Sequence, residues 1–340
     1  MVEKKGSDLH IGAGTPPMIR VDGELQNAGE GILSPHDAQT LCHEIMSQEQ
    51  IMKLEEEREL DFAFQIEGVS RFRANCFWQH HSVAGAFRRI PFEIFSFEQL
   101  GLPVVVKGLT EKLNGLVLVT GATGSGKSTT LATMIDAINQ KDPWHIMTVE
   151  DPIEFVFEPK KSMVHQCEVA RDTVSFKNAL KYMLRQDPDV VLIGEMRDLE
   201  TIQAAITIAE TGHLVFATLH TNSAAQTIDR IIDVFPAHQQ TQIRTQLSFI
   251  LQGILSQQLL PKTDKGRCLA LEILIPTPAI RNLIRENKTH QLYAQMQMGQ
   301  QETGMTTMNQ SLAALAKART INKETALGFS PDLEELKRML

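Results

Sequence analysis

The stretch from Gly115 to Leu131, GLVLVTGATGSGKSTTL, decides the fold of the larger part of this chain. An apolar run at 116–119 leads into the pattern G-x-x-x-x-G-K-[ST], which begins at Gly121, and a helix-compatible segment follows. Glycines allow the tight turn that points successive N–H groups at phosphate oxygens, and the positive end of the next helix faces the same anion. The stretch therefore predicts a strand, a phosphate loop and a helix that begins near Lys127.

The residue types of this loop indicate a nucleoside triphosphate and Mg²⁺ as ligands. Lys127 supplies a point charge to the β- and γ-phosphates, and Ser128 offers a hydroxyl to the metal ion. A glycine-rich turn beside a lysine is the alternative, and the predicted strand and helix on either side disfavour it. We predict that ATP and Mg²⁺ are the cofactors and that they are bound by Thr123, Gly124, Ser125, Gly126, Lys127, Ser128 and Thr129.

Composition and charge set the broad class of protein. The 340 residues predict two domains, and the 22% charged and 42% hydrophobic residues are typical of a globular protein. The net charge of −8 disfavours a nucleic-acid translocase, which usually carries a basic stripe. The cysteines lie far apart without a C-x-x-C pair, which fits a reducing cytosol and no metal site. No apolar run approaches the ~18 residues of a membrane span and no signal-peptide pattern is present, so we predict a cytoplasmic protein.

The hydrophobic pattern predicts two domains. Residues 1–95 alternate apolar and polar positions in short runs, as in a mostly antiparallel, half-buried sheet. Strands are predicted there at 7–11, 18–22, 60–64, 70–77 and 85–90, and helices at 34–47 and 48–57. A linker at 96–103 precedes residues 104–340, where strands and helices alternate as in a parallel α/β sheet. Further helices are predicted at 237–260, 279–286 and 308–319.

Acidic residues follow two of the predicted strands. Glu150, Asp151 and Glu154 come after a short apolar strand, and Glu195 stands at the tip of the next buried strand. Ligands of open α/β sheets bind beyond the carboxyl ends of the strands, so these side chains are expected to face the nucleotide. An exposed acidic turn is the alternative for the first three. Glu195 is expected to hold Mg²⁺ or its water shell.

Two histidines, His213 and His220, lie at the two ends of a further predicted strand. Their spacing does not match the i, i+4 separation of a metal-binding pair on a helix, so a zinc site is not expected. A γ-phosphate sensor, an interface hydrogen bond and a structural histidine all remain open for these residues.

Several motifs together resemble the secretion ATPase superfamily, the hexameric motors of type IV pili and type II secretion. Residues 121–139 resemble its Walker A segment, 149–155 its Asp box, 184–198 its Walker B segment and 211–224 its His box. AIRNLIRE at 279–286 resembles the signature of the pilus retraction ATPases within that superfamily. GMTTMNQSL at 304–312 and SDLHIGAGTPPMIRVDG at 7–23 resemble the same group, so the resemblance covers nearly the whole chain.

The resemblance implies a PAS-like α+β domain at 1–95 and a RecA-like P-loop ATPase domain at 104–340, in a homohexameric ring with nucleotide between subunits. The implied function is ATP hydrolysis that powers retraction and disassembly of a type IV pilus, and hence twitching motility. A pilus assembly or accessory secretion ATPase is the alternative within the superfamily, and a RecA-like nucleic-acid translocase is the alternative of another class. The implied partner is an inner-membrane platform protein of the PilC type, which would hold a cytoplasmic motor at the membrane.

The resemblance also implies roles for single residues. Glu154 matches the glutamate that polarises the attacking water, and His213 is preferred as the contact to the nucleotide. Arginines of the N-terminal domain reach a neighbour's γ-phosphate in this superfamily, and that segment is matched by Arg71, Arg73 and Arg88. From the alternation of apolar and polar residues alone, these arginines are equally well interpreted as solvent-exposed strand residues. The segment 279–286 carries the polar residues Arg281, Asn282 and Arg285. They either contact the platform protein or form a structural cap on the RecA-like core.

Two places depart from the superfamily pattern. Its members usually open with a helix ahead of SDLH, and here only six residues precede Ser7, which is the pattern of a trimmed chain or of a start placed late. After the Asp box the superfamily often reads Q-R-E-V-G, whereas Cys167 stands here at the position of the arginine. Whether Arg171 substitutes for it is left open.

Overall fold

The computed structural model describes residues 1–4, 6–21, 23–90 and 93–340. Asp22, the predicted end of a strand, lies outside this described part. The chain divides into two compact units. The first contains Met1–Glu93 and Pro152–Val156, and the second contains Ile94–Asp151 and Phe157–Leu340.

The first unit has helices and strands in the order β1 (Asp8–Ile11), β2 (Met18–Val21), β3 (Glu24–Asn27), α1 (Pro35–His43), α2 (Gln48–Glu57), β4 (Glu59–Ile66), β5 (Ser70–Gln79) and β6 (Ser82–Ile90). The strands form one antiparallel sheet in the order β3-β2-β1-β6-β5-β4. Both helices begin where predicted, because Ser34 and Ser47 each form a capping box. The sequence pattern does not predict β3, since all four of its residues are exposed.

Alternation along the chain explains the core of the first unit. Phe62, Ala74 and Phe87 come from three neighbouring strands and lie in one buried cluster with Cys42 of α1 and Leu54 of α2. Since successive side chains of a strand point to opposite faces, one face of the sheet is apolar and packs against the helices. The predicted half-buried antiparallel sheet is therefore confirmed.

The second unit contains the remaining helices and strands: α3 (Phe97–Leu100), α4 (Val104–Leu109), β7 (Gly115–Thr120), α5 (Lys127–Lys141), β8 (His145–Glu150), β9 (Met163–Glu168), α6 (Phe176–Met183), β10 (Val190–Ile193), α7 (Leu199–Glu210), β11 (Leu214–Leu219), α8 (Ala224–Asp233), α9 (Ala237–Ile250), β12 (Leu251–Pro261), β13 (Arg267–Leu274), α10 (Pro278–Arg285), a 3₁₀ turn (Thr289–Gln291), α11 (Leu292–Met298), α12 (Gln300–Thr303), α13 (Met308–Lys317), α14 (Lys323–Gly328) and α15 (Leu333–Met339). Within the described ranges, no helix combines the length and the apolar character needed to cross a bilayer.

A seven-stranded sheet in the order β13-β12-β7-β11-β10-β8-β9 forms the centre of the second unit. Its strand pairs are parallel except for β12 and β13, which pair antiparallel. Strands β7, β10 and β11 are buried at every residue, as expected of parallel strands that are covered on both faces. The carboxyl ends of the parallel strands share one edge, and the segments that follow them meet there.

Two boundaries differ from the sequence-based expectation. The segment Pro152–Val156, predicted within the second domain, lies with the first unit. The predicted linker 96–103 contains the short helix α3, which Ser96 caps through a capping box, and it lies with the second unit. Phe97 and Leu102 are buried, so this segment is anchored in a core and is no free linker.

The helix predicted at 237–260 is wrong beyond its first half. Helix α9 ends at Ile250, and Leu251–Pro261 form strand β12, which pairs with β7 on one side and β13 on the other. Because β12 is central and buried on both faces, its residues show no period-2 alternation. Gly253 leaves room for Leu109, whose side chain would lie 2.9 Å from a Cβ at that position.

Candidate active site

The phosphate-loop pattern occupies the turn between β7 and α5. Strand β7 ends at Thr120 and helix α5 begins at Lys127, as the sequence predicts. Gly121, Gly124 and Gly126 have φ of 140°, 80° and 90°, values that favour glycine. A Cβ on Gly121 would lie 2.4 Å from the carbonyl oxygen of Gln257 on β12. Only glycine therefore lets the chain turn this close to the neighbouring strand.

Lys127 is buried, and its ammonium lies over the loop. Its Nζ donates hydrogen bonds to the carbonyl oxygens of Gly121 at 2.8 Å and Ala122 at 2.9 Å. The buried hydroxyl of Ser125 has no hydrogen-bond partner among the described residues. Gly126, the N-cap residue of helix α5, provides no side-chain cap, so the first N–H groups of the helix lack an intrahelical or capping acceptor. An ammonium, an unpartnered hydroxyl and a helix N-terminus at one loop form an arrangement of donors that fits a phosphate group.

Two side chains of β12 form hydrogen bonds with residues on either side of the phosphate loop. Thr120, the residue before the loop, donates from Oγ1 to the hydroxyl of Ser256 at 2.9 Å. Gln257 donates from Nε2 to Thr130 Oγ1 at 2.7 Å, in the first turns of α5. All four side chains are buried. Sequence reasoning misses both supports, because it assigns this part of the chain to a helix and no local motif marks it.

Glu195 lies at the carboxyl edge of the sheet, two residues beyond β10. The backbone on either side of it is fixed, since Gly194 N donates to Val149 O at 2.8 Å and Met196 N donates to Thr218 O at 3.0 Å. Its carboxylate therefore has a defined position at the edge that also carries the phosphate loop.

The carboxylate of Glu195 is held by two partners, Arg197 and His220. Its Oε2 lies 2.7 Å from Arg197 Nη2, and its Oε1 lies 3.1 Å from His220 Nε2. Burial raises the pKa of Glu195, but the hydrogen bonds and charges of Arg197 and His220 outweigh this effect and leave that pKa below its usual value. The side chain is thus a carboxylate at neutral pH. Arg197 is a residue that the motif analysis did not single out.

The two histidines lie at opposite edges of the sheet. His220 follows the carboxyl end of β11, whereas His213 precedes its amino end, where His213 O accepts a hydrogen bond from Gly115 N at 3.0 Å. The side chain of His213 contacts Ile208 O at 3.0 Å through Nδ1. A strand of six residues, or roughly 20 Å at about 3.3 Å per residue, separates this edge from the phosphate loop. His213 therefore does not lie beside its own chain's phosphate loop, whereas His220 lies at the edge that carries the loop, and the role of His213 as a nucleotide contact stays a prediction.

Glu150, expected in an acidic turn, is the last residue of β8 and is engaged inside the second unit. It is buried, and its Oε1 accepts hydrogen bonds from Thr148 Oγ1 at 2.7 Å and from Gln166 Nε2 at 3.3 Å. Gln166 in turn accepts from the backbone N–H of Phe157 at 2.8 Å. Glu150 therefore joins β8 to β9, and the alternative of an exposed acidic turn does not hold for it.

In the first unit, two of the three predicted arginines face the segment that carries Glu154. Arg71 is buried, and its Nε donates to Ile153 O at 3.0 Å. Arg73 Nη1 lies 4.0 Å from Glu154 Oε1. Arg71 is thus no solvated strand residue. Arg88 differs, because it pairs with Asp8 at 2.8 Å and its side chain is 67% exposed.

The segment 279–286 contains a structural cap. Arg281 donates to the carbonyl oxygens of Ser248, of Phe249 at 2.9 Å and of Leu251 at 3.0 Å, at the junction of α9 and β12. The carbonyls of Ser248 and Phe249 belong to the last turn of α9, where carbonyl groups lack intrahelical partners, and Leu251 is the first residue of β12. Arg285 lies with its guanidinium 5.8 Å from the ring centre of Phe249, which is exposed. The cap interpretation thus holds for Arg281.

The phosphate loop, the buried parallel sheet and the carboxylate at its edge define a P-loop nucleotide-binding domain. Residues 96–337 match the family described as Type II/IV secretion system protein, and the chain belongs to that family.

The chain is similar to two curated proteins of Pseudomonas aeruginosa. The type IV pilus retraction ATPase PilT is 51% identical over 320 residues, which cover 94% of this chain and 93% of PilT. The type IV pilus ATPase PilU is 42% identical over 341 residues, which cover 100% of this chain and 89% of PilU.

Among solved structures, the crystal structure of the pilus retraction motor PilT with bound ADP is 55% identical, with a TM-score of 0.93. The match covers 99% of this chain and 96% of that one. The resemblance drawn from the motifs is confirmed. So is the predicted fold class, an α/β P-loop domain with a smaller N-terminal domain built on an antiparallel sheet.

Proposed function

We propose that the chain is an ATPase that works as a homohexameric motor and powers retraction of a type IV pilus, and hence twitching motility. The observation that carries the proposal is the phosphate loop with Lys127, at the same edge of the sheet as Glu195 and His220. Further support is the similarity to PilT over nearly the full length of both chains. The N-terminal PAS-like unit and the RecA-like unit would move against each other during turnover.

In this proposal ATP is held by residues 123–129, and Mg²⁺ is held by Ser128 and Glu195. A hydroxyl and a carboxylate fit this ion, since Mg²⁺ at nucleotide sites takes few protein ligands beside phosphate and water oxygens. In keeping with this, the described residues contain no group of three His, Cys, Asp or Glu side chains that could hold a metal alone. When bound, Mg²⁺ would neutralise charge that develops on the phosphates.

The chain's own residues would act as follows. Lys127 would exchange its two loop carbonyl partners for phosphate oxygens, because an anion competes better for an ammonium than a neutral carbonyl does. Glu154 would orient and polarise the attacking water. Arg73, whose Nη1 lies 4.0 Å from Glu154 Oε1, would orient that carboxylate, and His220 would position Glu195.

The arginines of the first unit are proposed to act in two ways. Arg88 is largely exposed, and we assign it the reach to a neighbouring subunit's γ-phosphate, with Arg73 beside it. Arg71 is buried against Ile153, and we assign it the positioning of the segment that carries Glu154. Hydrolysis would then depend on ring assembly.

The proposed partner is an inner-membrane platform protein of the PilC type, and the proposed location is the cytoplasmic side of the inner membrane. Asn282 and Arg285 would contact this partner, because Arg281 already has a structural task. Arg285 and the exposed ring of Phe249 form the accessible part of this surface.

Complementation tests the proposal. The gene is expressed in a bacterium that lacks its own PilT but keeps its pili, and twitching is measured. Rescue by the wild type and no rescue by Lys127→Ala supports the proposal. No rescue in this strain, but improved twitching when a resident PilT is also present, would indicate an accessory ATPase. Turnover that DNA stimulates in a salt-dependent way would instead favour a nucleic-acid translocase.

A further inference from the structure

A buried carboxylate lies outside the site described above. Glu272 stands in the middle of β13 and is 3% exposed. Its Oε1 accepts a hydrogen bond from the backbone N–H of Ala224 at 2.7 Å. It also accepts one from the backbone N–H of Met308. Ala224 and Met308 are the first residues of α8 and α13, so one side chain joins the starts of two helices.

The N-termini of α8 and α13 are suitable partners for the buried carboxylate of Glu272. Burial raises the pKa of Glu272, and the two backbone N–H groups oppose that rise. A buried carboxylate is tolerated only when hydrogen bonds and positive dipoles compensate its desolvation, and helix N-termini supply both. Ser223 and Thr307, the cap residues of α8 and α13, bond to N–H groups one turn further on. Glu272 therefore satisfies a donor in each helix that the cap leaves open.

Ala224, the residue of α8 that Glu272 contacts, lies shortly after the carboxyl end of β11, where His220 is found. His220 is four residues before Ala224, and the segment between them is tied to α8 by a 2.7 Å hydrogen bond between Thr221 Oγ1 and Thr227 Oγ1. A shift in the start of α8 would therefore move His220, which lies 3.1 Å from Glu195.

Glu272 also stands in register with the support of the phosphate loop. Ser256 on β12 pairs directly with Glu272 on one side and with Thr120 on the other. Directly opposed residues of neighbouring strands lie on the same face of a sheet. The row formed by Thr120, Ser256 and Glu272 is buried and polar, and it connects the entry to the loop with the starts of α8 and α13.

We propose that Glu272 is a positioning residue that holds His220 against Glu195 through the start of α8. It does not itself touch nucleotide. The inference deepens the proposed function and rests on it, because it concerns the regulation of the same site.

The test combines steady-state ATPase kinetics with a double-mutant cycle. Glu272→Ala leaves two buried donors without a partner, so kcat is expected to fall about tenfold while KM for ATP stays within about twofold. In the background of His220→Ala, the same change is expected to cause no further loss, because its effect passes through His220. Unchanged kcat, or losses that multiply in the double variant, would overturn the proposal.

Ser311→Ala is the matched control. The hydroxyl of Ser311 accepts a hydrogen bond from Leu271 N at 3.0 Å, so it joins α13 to β13 beside Glu272 without any contact to α8 in the described structure. It is expected to keep wild-type kcat. Should Glu272→Ala not fold, Glu272→Gln replaces it, since the amide keeps one acceptor oxygen, and a kcat loss of about threefold that vanishes in the His220→Ala background is expected.

Hydrogen exchange separates this inference from the proposed function. Exchange at residues 219–228 is expected to be faster in Glu272→Gln than in Ser311→Ala, whether or not ATP is hydrolysed. If the wild-type protein had no ATPase activity, the proposed function would be contradicted. The comparison of hydrogen exchange would still test the positioning role of Glu272. Equal exchange in the two variants would refute that role.

Discussion

His220 Nε2 lies 3.1 Å from Glu195 Oε1, at the edge of the sheet where the parallel strands end. Arg197 holds the other oxygen of the same carboxylate at 2.7 Å. These contacts keep the pKa of Glu195 below its usual range, even though burial alone would raise it. A carboxylate that stays ionised and fixed is suited to hold a divalent ion or its water, and several predictions depend on this pair and on the loop beside it.

Glu195 should make stability depend on acid pH. Its folded-state pKa is depressed below the usual 4.5, so its contribution is present above pH 4.5 and is lost as pH falls through the folded-state pKa. Arg197→Ala should raise that pKa and make this part of the acid-induced loss smaller. Denaturant unfolding of both proteins at neutral pH and near the acid transition measures the difference. The same pH dependence in both would contradict the assignment of Arg197 as the main partner.

Lys127→Ala should abolish turnover without unfolding the protein. The ammonium donates hydrogen bonds to the carbonyl oxygens of Gly121 and Ala122 in its own loop, and its charge is directed at the site of the phosphates. We expect ATPase activity to fall by at least about 100-fold. Activity is measured beside circular dichroism and melting temperature, and substantial residual turnover in a folded variant would remove Lys127 from its assigned role.

Gly121→Ala should destabilise the second unit more than Gly124→Ala. Both glycines have positive φ, at 140° and 80°, so both substitutions strain the backbone by about 1 kcal/mol. Only at Gly121 would the new Cβ also meet a backbone oxygen, at 2.4 Å, whereas nothing lies within 4 Å at Gly124. The extra cost at Gly121 should reach about 2 kcal/mol or more. Chemical denaturation compares the two, and equal losses would contradict the close approach of the loop to β12.

Arg281→Ala and Arg285→Ala should separate structure from partner binding. Arg281 bonds to carbonyls at the end of α9, so its loss should lower the free energy of unfolding by about 1–3 kcal/mol. Arg285→Ala should change stability by less than about 0.5 kcal/mol and keep ATPase activity. If the surface with Phe249 contacts the platform protein, Arg285→Ala should nevertheless lose twitching in complementation. Full twitching in that variant would rule out this part of the proposal.

The phosphate loop could be predicted because its signal is local. Gly121 to Ser128 carry the glycines, the lysine and the hydroxyl in one short stretch, and the buried strand and the helix flank it directly. The capped helices of the first unit are equally local, since Ser34 and Ser47 each bond to the third residue of the helix that follows.

Other features depend on contacts between distant parts of the chain, which a single sequence does not display. Strand β12 is buried on both faces, so its pattern does not distinguish it from a buried helix. His213 and His220 belong to the same motif, and only the direction of β11 separates the edge with the loop from the edge without it. Arg71 occupies a position that alternation assigns to solvent, yet it is buried because Ile153 returns from far along the chain to meet it.

The central claim is tested most directly by the ATPase rate per chain as a function of protein concentration, in Mg²⁺ and at low salt. We predict a steep rise with concentration that DNA does not alter, and a loss of this rise in Arg88→Ala, because the site would be completed between subunits. A rate per chain that is flat across the range would contradict the account, since the site would then be complete within one chain.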